Sequence, residues 1–467
     1  MTTKNSLTET SKIRFSEKLG FGAFSTASNV VYQFKNLYYL FFLTNVLKIN
    51  VAAAGLILTI GTIWDAVNDP LLGFWSVNHK FKNGERCRPF ALWFALPWAG
   101  TVVLLFSDFN VSERAAVVIA MLIYIVFELF NTFVGIPYNS MGGLATNVDS
   151  ERRSINVYRN LGGCLGSGIG AVGCLPLLNF FGALDEKGNL IDAHSSRGFL
   201  YAAIVMGVVC LIGCFIHYFT TKERVKPLAN AEEKLKVAEV VKMLFHCKSW
   251  IMNTLYIICY GVISLMLMSC INYYATYIVG STASATIVMA VYLVASIVAT
   301  LLVAPIDKLL GRKRTMIFGA LLFIAGKIWF IFDPYAIGAL YVNAITVGMA
   351  VSITFVMFNT NRNNIVDLIE WNDGRRLDSI VSTADNLASK LATAGATLMI
   401  TSALSFNGFD AELEVLPAAA VNTINAFLGW VPMLIAVVML VIVCYLNIDK
   451  DMKKMNDEKK QGVPERT

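Results

Sequence analysis

Twelve long apolar runs, separated by short polar segments, recur along the chain near 20–46, 51–77, 89–107, 114–145, 155–183, 198–220, 250–279, 283–306, 314–333, 338–366, 379–405 and 421–446. Each matches or exceeds the roughly 20 apolar residues that carry a helix across a bilayer. A backbone in lipid must satisfy its own hydrogen bonds, which a helix does within itself. The pattern therefore predicts an all-α polytopic membrane protein with twelve transmembrane helices. The longest polar interruption divides the helices six and six. The expected organisation is a polar N-terminal tail at 1–18, a bundle at 19–220, a central loop at 221–249, a second bundle at 250–447 and a tail at 448–467.

Alternate loops carry the cations. One holds His79, Lys80, Lys82, Arg86 and Arg88; others hold Arg152 and Arg153, or Lys308, Arg312, Lys313 and Arg314, or Arg375 and Arg376. The central loop adds Lys222, Arg224, Lys226, Lys234, Lys236, Lys242 and Lys248, whereas 406–420 has Asp410, Glu412 and Glu414 and no base. The positive-inside bias predicts cytoplasmic termini and central loop, in the cytoplasmic (inner) membrane. Composition agrees with a lipid solvent: 15% of residues are charged, against about 25% in soluble domains, and 56% are hydrophobic. The net charge of +6 is then a matter of loops and topology, not nucleic-acid binding. The scattered cysteines, Cys164, Cys174, Cys210, Cys214, Cys259 and Cys270 among them, read as small hydrophobes, and four histidines are too dispersed for a metal cluster. No cleavable leader pattern and no exposed heptad is visible, so the expectation is a monomer that takes no cofactor.

A faint repeat links the halves. The second span ends Asp69-Pro-Leu-Leu-Gly73 before a basic loop, and the eighth ends Asp307-Lys-Leu-Leu-Gly311 before Arg312-Lys313-Arg314. Two related six-helix bundles resemble the major facilitator fold, with substrate bound near the membrane midplane.

Ionisable groups inside spans are costly and mark function by default. Asp65 and Asp69 are four apart on the second span, so both carboxylates share a face, and Asn68 can add an amide oxygen. That set suits Na⁺, or a proton shared between acids. Its bland reading is a helix end at Asp69-Pro70 and an ion pair from Asp65. Lys390, within the eleventh span, requires an acid; Asp65 and Asp69, or the nearer Asp385, are the candidates. Lys35 lies six residues outward of Asn29 and Glu128 seven outward of Gly135. These are shifts of about 9 and 10 Å, so if Asn29 and Gly135 share a level, Lys35 and Glu128 share one too and should pair. Arg159 precedes Gly162, Gly163, Gly166, Gly168 and Gly170, a small-residue stripe for close helix approach; it faces a cavity or anchors at the cytoplasmic surface. Lys327 is expected to snorkel to the outer interface.

The strings Ile63-Trp64-Asp65-Ala66-Val67-Asn68-Asp69-Pro70, Gly135-Ile136-Pro137-Tyr138-Asn139-Ser140, and Ile365-Val366-Asp367 with Glu370-Trp371 resemble the glycoside–pentoside–hexuronide:cation symporters of the major facilitator superfamily. The resemblance runs from about Lys18 to the end of the twelfth span. It implies symport of a sugar or glycoside with Na⁺, Li⁺ or H⁺, a cation site at Asp65, Asn68, Asp69 and Thr132, and Lys390 beside it. It implies sugar contacts from Asn29, Asn139, Arg159, Phe355, Asp385 and Asn386. The chain departs from the family at Asn29 and Gly135, where members carry sugar-binding aspartates, and at Asn139, where they carry an aromatic. With Lys35 added, a hexuronide becomes a candidate substrate, unless Glu128 neutralises Lys35. A lysolipid or other amphiphile carrier and a non-translocating sugar sensor are the alternatives. The absence of a nucleophile or His cluster near an interface argues against an enzyme.

Overall fold

The computed structural model describes residues 13–79, 81–184, 195–225, 237–274, 278, 282–374, 376–408 and 416–461. The described residues form helices and connections without a strand. By contact the chain forms two compact units, Met1–Pro227 with Leu377–Thr383, and Leu228–Arg376 with Ala384–Thr467.

The first unit contains α1 (Phe15–Phe41, closed by a wide turn at Phe42–Val46), α2 (Val51–Asn78), α3 (Arg88–Trp93), α4 (Ala95–Leu105), α5 (Glu113–Ala145), α6 (Asp149–Phe180) and α7 (Ser195–Thr220). Its core gathers Phe21, Phe24, Phe34, Phe42, Phe106 and Phe199. The third span, expected as one helix, breaks at Phe94. Pro97 explains the break: it has no N–H for the carbonyl of Trp93, four residues back. The glycine stripe of α6 lies against α1. A Cβ on Gly162 would fall 2.2 Å from the carbonyl oxygen of Gly22, and one on Gly166 2.3 Å from that of Thr26. Only glycine lets these two backbones approach so closely.

The second unit contains α8 (Val237–His246), α9 (Lys248–Tyr274), α10 (Thr282–Leu310), α11 (Arg312–Phe332), α12 (Ile337–Asp373), most of α13 (Asp378–Phe406), α14 (Ala418–Leu428), α15 (Trp430–Tyr445) and α16 (Ile448–Lys460). The central loop thus holds a helix, α8. The tail after the twelfth span is also helical: α16 packs Met455 on Leu368 and Trp371, Glu458 accepts the indole N–H of Trp371 at 3.1 Å, and Asp451 accepts from Ser249 at 2.6 Å. The tenth span runs to Asp373, ending on Gly374 in the left-handed conformation at φ 68°.

The twelfth span also breaks, at Gly429. Pro432 leaves the carbonyl of Leu428 without its helical donor. Lys327 Nζ donates to that oxygen at 2.9 Å and to Asn343 Oδ1 at 2.7 Å, while Asn343 Nδ2 reaches the same carbonyl at 3.3 Å. Lys327 therefore does not snorkel. It is 1% exposed, because a proline-freed carbonyl inside the unit supplies the acceptor that water would otherwise provide. Nine helices among the described residues are long and apolar enough to cross a membrane. Of the twelve expected spans, α1, α2 and the broken α3–α4 pair fall outside that set; α1 and α2 carry the polar positions described next.

Candidate functional site

α2 and α5 lie side by side and run in the same direction. Their contacts climb together: Asn50 N–H to Glu113 at 3.3 Å, Gly61 under the ring of Tyr124, Asn68 beside Glu128, Asp69 beside Thr132, and the rings of Trp75 and Phe133 5.7 Å apart. Within this seam Thr132 Oγ1 donates to Asp69 Oδ1 at 3.1 Å, and Asn68 Nδ2 donates to the backbone oxygen of Glu128 at 3.4 Å. Asn68, Asp69 and Thr132 are buried, and Asp65, one turn earlier on α2, is half-buried. Asn68 spends its N–H on the backbone, leaving its carbonyl oxygen as a ligand atom. Carboxylate, amide and hydroxyl oxygens are the ligand type that hard cations take.

Lys35 and Glu128 pair at 2.7 Å, as their helical levels predict. Nζ also lies 3.4 Å from the hydroxyl of Tyr124 and between 5.2 and 5.7 Å from the ring centres of Tyr124, Phe127 and Tyr32. Asn131 donates to the second carboxylate oxygen at 3.3 Å. An aromatic cage and a fully hydrogen-bonded partner are what a cation withdrawn from water requires.

Arg159 of α6 is 4% exposed, so it is a buried residue and not a surface anchor. Its guanidinium sits 4.6 Å over the ring of Tyr138, donates to Asn139 Oδ1, and reaches Asn156 Oδ1 at 3.3 Å. Asn29 is held inside the α1–α6 seam: its amide donates to the carbonyl of Ser25 at 2.8 Å and accepts from Ser167 at 3.3 Å.

In the second unit Asp385 on α13 is buried. One carboxylate oxygen accepts from Trp250 Nε1 at 3.2 Å and from Thr254 Oγ1 at 3.0 Å, while the other has no hydrogen-bond partner. Five residues turn a helix through about 500°, which leaves the side chains of Asp385 and Lys390 some 140° apart on α13. Lys390, Asn386 and Phe355 are half-buried. Sequence reasoning missed Trp250 and Thr254, and also Arg362, which lies in a wholly buried polar run from Asn359 to Asn364 on α12. That run was a visible signal, since six consecutive polar residues at the end of an apolar span must be lodged inside protein. Among the described residues no group of three His, Cys, Asp or Glu is placed to hold a metal ion.

The MFS/sugar transport protein family matches residues 20–450. An isoprimeverose transporter of Lactiplantibacillus pentosus is 27% identical over 450 residues, covering 95% of this chain and 91% of its own length. The inner membrane symporter YicJ of Escherichia coli K12 is 25% identical over 434 residues, covering 92% and 89%. Among solved structures, the major facilitator transporter FucP in its outward conformation superposes with a TM-score of 0.67 at 11% identity, over 92% of this chain and 98% of that one.

Proposed function

The chain belongs to the MFS/sugar transport protein family, and from that premise we propose that it is a secondary active transporter, not an enzyme, carrying a sugar or glycoside with Na⁺ or H⁺ across the cytoplasmic membrane. The buried contact of Asp69 with Thr132 on two parallel helices carries the cation half of this reading. Asp65, Asn68, Asp69 and Thr132 supply the oxygens, and a bound monovalent cation offsets one carboxylate charge in a low-dielectric seam. The names of the relatives, an isoprimeverose transporter and an inner membrane symporter, support a glycoside as cargo and a membrane ion as its partner. Asn29, Asn139, Arg159, Phe355, Asp385 and Asn386 are the proposed sugar contacts. With Lys35 already paired to Glu128, a neutral glycoside fits better than a hexuronide.

Transport proceeds by alternating access, and the two ligands are coupled because each favours the same state, a coupling typically worth about 1–3 kcal/mol. The basic loops support cytoplasmic termini. The test is thermal stability of the purified protein with neutral glycosides and hexuronides, each in Na⁺ or in choline. A ligand at a hundred times its Kd stabilises the folded state by about 2.7 kcal/mol. A glycoside should raise the melting temperature more in Na⁺ than in choline, and Asp69→Asn should remove the difference. Cation dependence unchanged in Asp69→Asn would sink the site assignment.

A further inference from the structure

Glu128 is the acid of the α2–α5 seam nearest in register to Asp65 and Asp69. Asp65 precedes Asp69 by four residues and Glu128 precedes Thr132 by four. On parallel helices both steps are one turn, about 6 Å, in the same direction. Asp69 meets Thr132, so Asp65 stands at the level of Glu128. The backbone oxygen of Glu128 also holds Asn68. Glu128 thus joins the cation-binding turn through its main chain and borders it with its side chain. The side chain is withheld: Lys35, reaching from α1, takes one carboxylate oxygen at 2.7 Å, and Asn131 takes the other at 3.3 Å.

We infer that Lys35 is a specificity-determining counter-ion that withholds the Glu128 carboxylate from the cation site and so keeps a third acid from adding its charge to those of Asp65 and Asp69. This rests on the cation site proposed above. Two acids and one monovalent ion leave a site that can release its ion. Three acids would hold it harder, because one more unit charge at short range in a medium of low dielectric strengthens the attraction. The aromatic cage of Tyr32, Tyr124 and Phe127 fixes the ammonium, so its charge stays at one place.

The pair is separable by charge. In Lys35→Met the Glu128 carboxylate is uncompensated. In Glu128→Gln the ammonium is uncompensated. In the double variant the net charge returns to that of the wild type. Equilibrium binding of radioactive Na⁺ to the purified full chain, in mildly alkaline buffer, reads this directly without any sugar. Lys35→Met should bind Na⁺ about tenfold more tightly, Glu128→Gln about tenfold more weakly, and the double variant within about threefold of the wild type. Lys35→Arg keeps the charge and should keep the wild-type affinity, which separates a charge effect from a packing effect.

Equal affinity in wild type and Lys35→Met overturns the inference. So does weak binding in both Lys35→Met and the double variant, which is the signature of a structural pair. Asp69→Asn serves as the control on the underlying reading. If it abolishes Na⁺ binding while Lys35→Met changes nothing, the cation site stands and the inference falls. If Asp69→Asn binds Na⁺ as the wild type does, the cation site itself is wrong. A wild type that binds neither Na⁺ nor Li⁺ overturns the inference together with the Na⁺ form of the reading.

Discussion

Lys327 offers a test of how this protein tolerates an ammonium group away from water. Its two acceptors are Asn343 Oδ1 and the Leu428 carbonyl that Pro432 leaves open, and both Lys327 and Asn343 are buried. Replacing Lys327 with Met leaves Asn343 Oδ1 without its donor and Leu428 with one donor, at 3.3 Å. An unsatisfied buried acceptor costs about 1–3 kcal/mol, but the substitution also removes the desolvation cost of a buried charge. The two terms largely offset, so the expected net loss is about 1 kcal/mol or less. Asn343→Leu has the opposite balance: the ammonium stays buried with a single acceptor, at a cost of about 3–5 kcal/mol. The double variant should recover most of the loss, since the stranded charge is gone. Reversible unfolding of the purified protein in mixed detergent micelles, followed by helicity, measures all three. In a Pro432→Ala background the carbonyl regains a helical donor, and the effect of Lys327→Met should shrink further. If Lys327→Met costs as much as Asn343→Leu, or if the double variant shows the sum of the two, the reasoning is refuted.

Two further predictions follow from the first unit. Gly166→Val would drive a side chain into the backbone of Thr26, and should lower the melting temperature sharply through overpacking of about 1–3 kcal/mol or more, whereas Gly163→Ala meets only Ser25 Oγ at 3.4 Å and Asn29 Nδ2 at 3.5 Å and should cost little. Glu223, beyond the end of α7, accepts the backbone N–H groups of Arg86, Cys87 and Arg88 at 2.9, 2.7 and 2.6 Å, yet burial pushes its carboxyl above the usual glutamate range. The folded chain then holds that proton more tightly than the unfolded chain. The resulting stabilisation is present below the ordinary glutamate value of about 4.3 and is lost as pH rises through the raised one. Melting temperature against pH should show this decline in the wild type and lack it in Glu223→Gln; matching slopes would contradict it.

Much of the architecture was legible because lipid imposes a simple rule on sequence: apolar runs of sufficient length become helices. The pairing of Lys35 with Glu128 was legible by counting residues from a shared level. The helix breaks were signalled by Pro97 and Pro432, but a proline inside an apolar run reads equally as a tolerated kink, and Pro137 and Pro176 lie within unbroken helices. The depth of Lys327 was misread because distance along a helix does not reveal an acceptor contributed by another helix. The partners of Asp385 were hidden for the same reason, Trp250 and Thr254 lying more than a hundred residues away in sequence. The tail beyond the twelfth span looked merely polar. Its buried positions Ile448 and Met455 recur at helical spacing, a pattern easily hidden among the charges between them.

The glycine stripe of α6 has a mechanical meaning. Where two backbones touch with no side chain between them, neither sliding nor rotation is open to one helix alone, because the first lateral step meets main-chain atoms. α1 and α6 therefore behave as a single strut, with Asn29 and Arg159 mounted on it at a fixed separation. The α2–α5 seam instead joins largely through side chains, Thr132 on Asp69, Asn68 on the Glu128 carbonyl and the ring of Trp75 on that of Phe133. On the proposed reading, reshaping of the first unit on cation loading falls on that side-chain seam, with the strut as its reference.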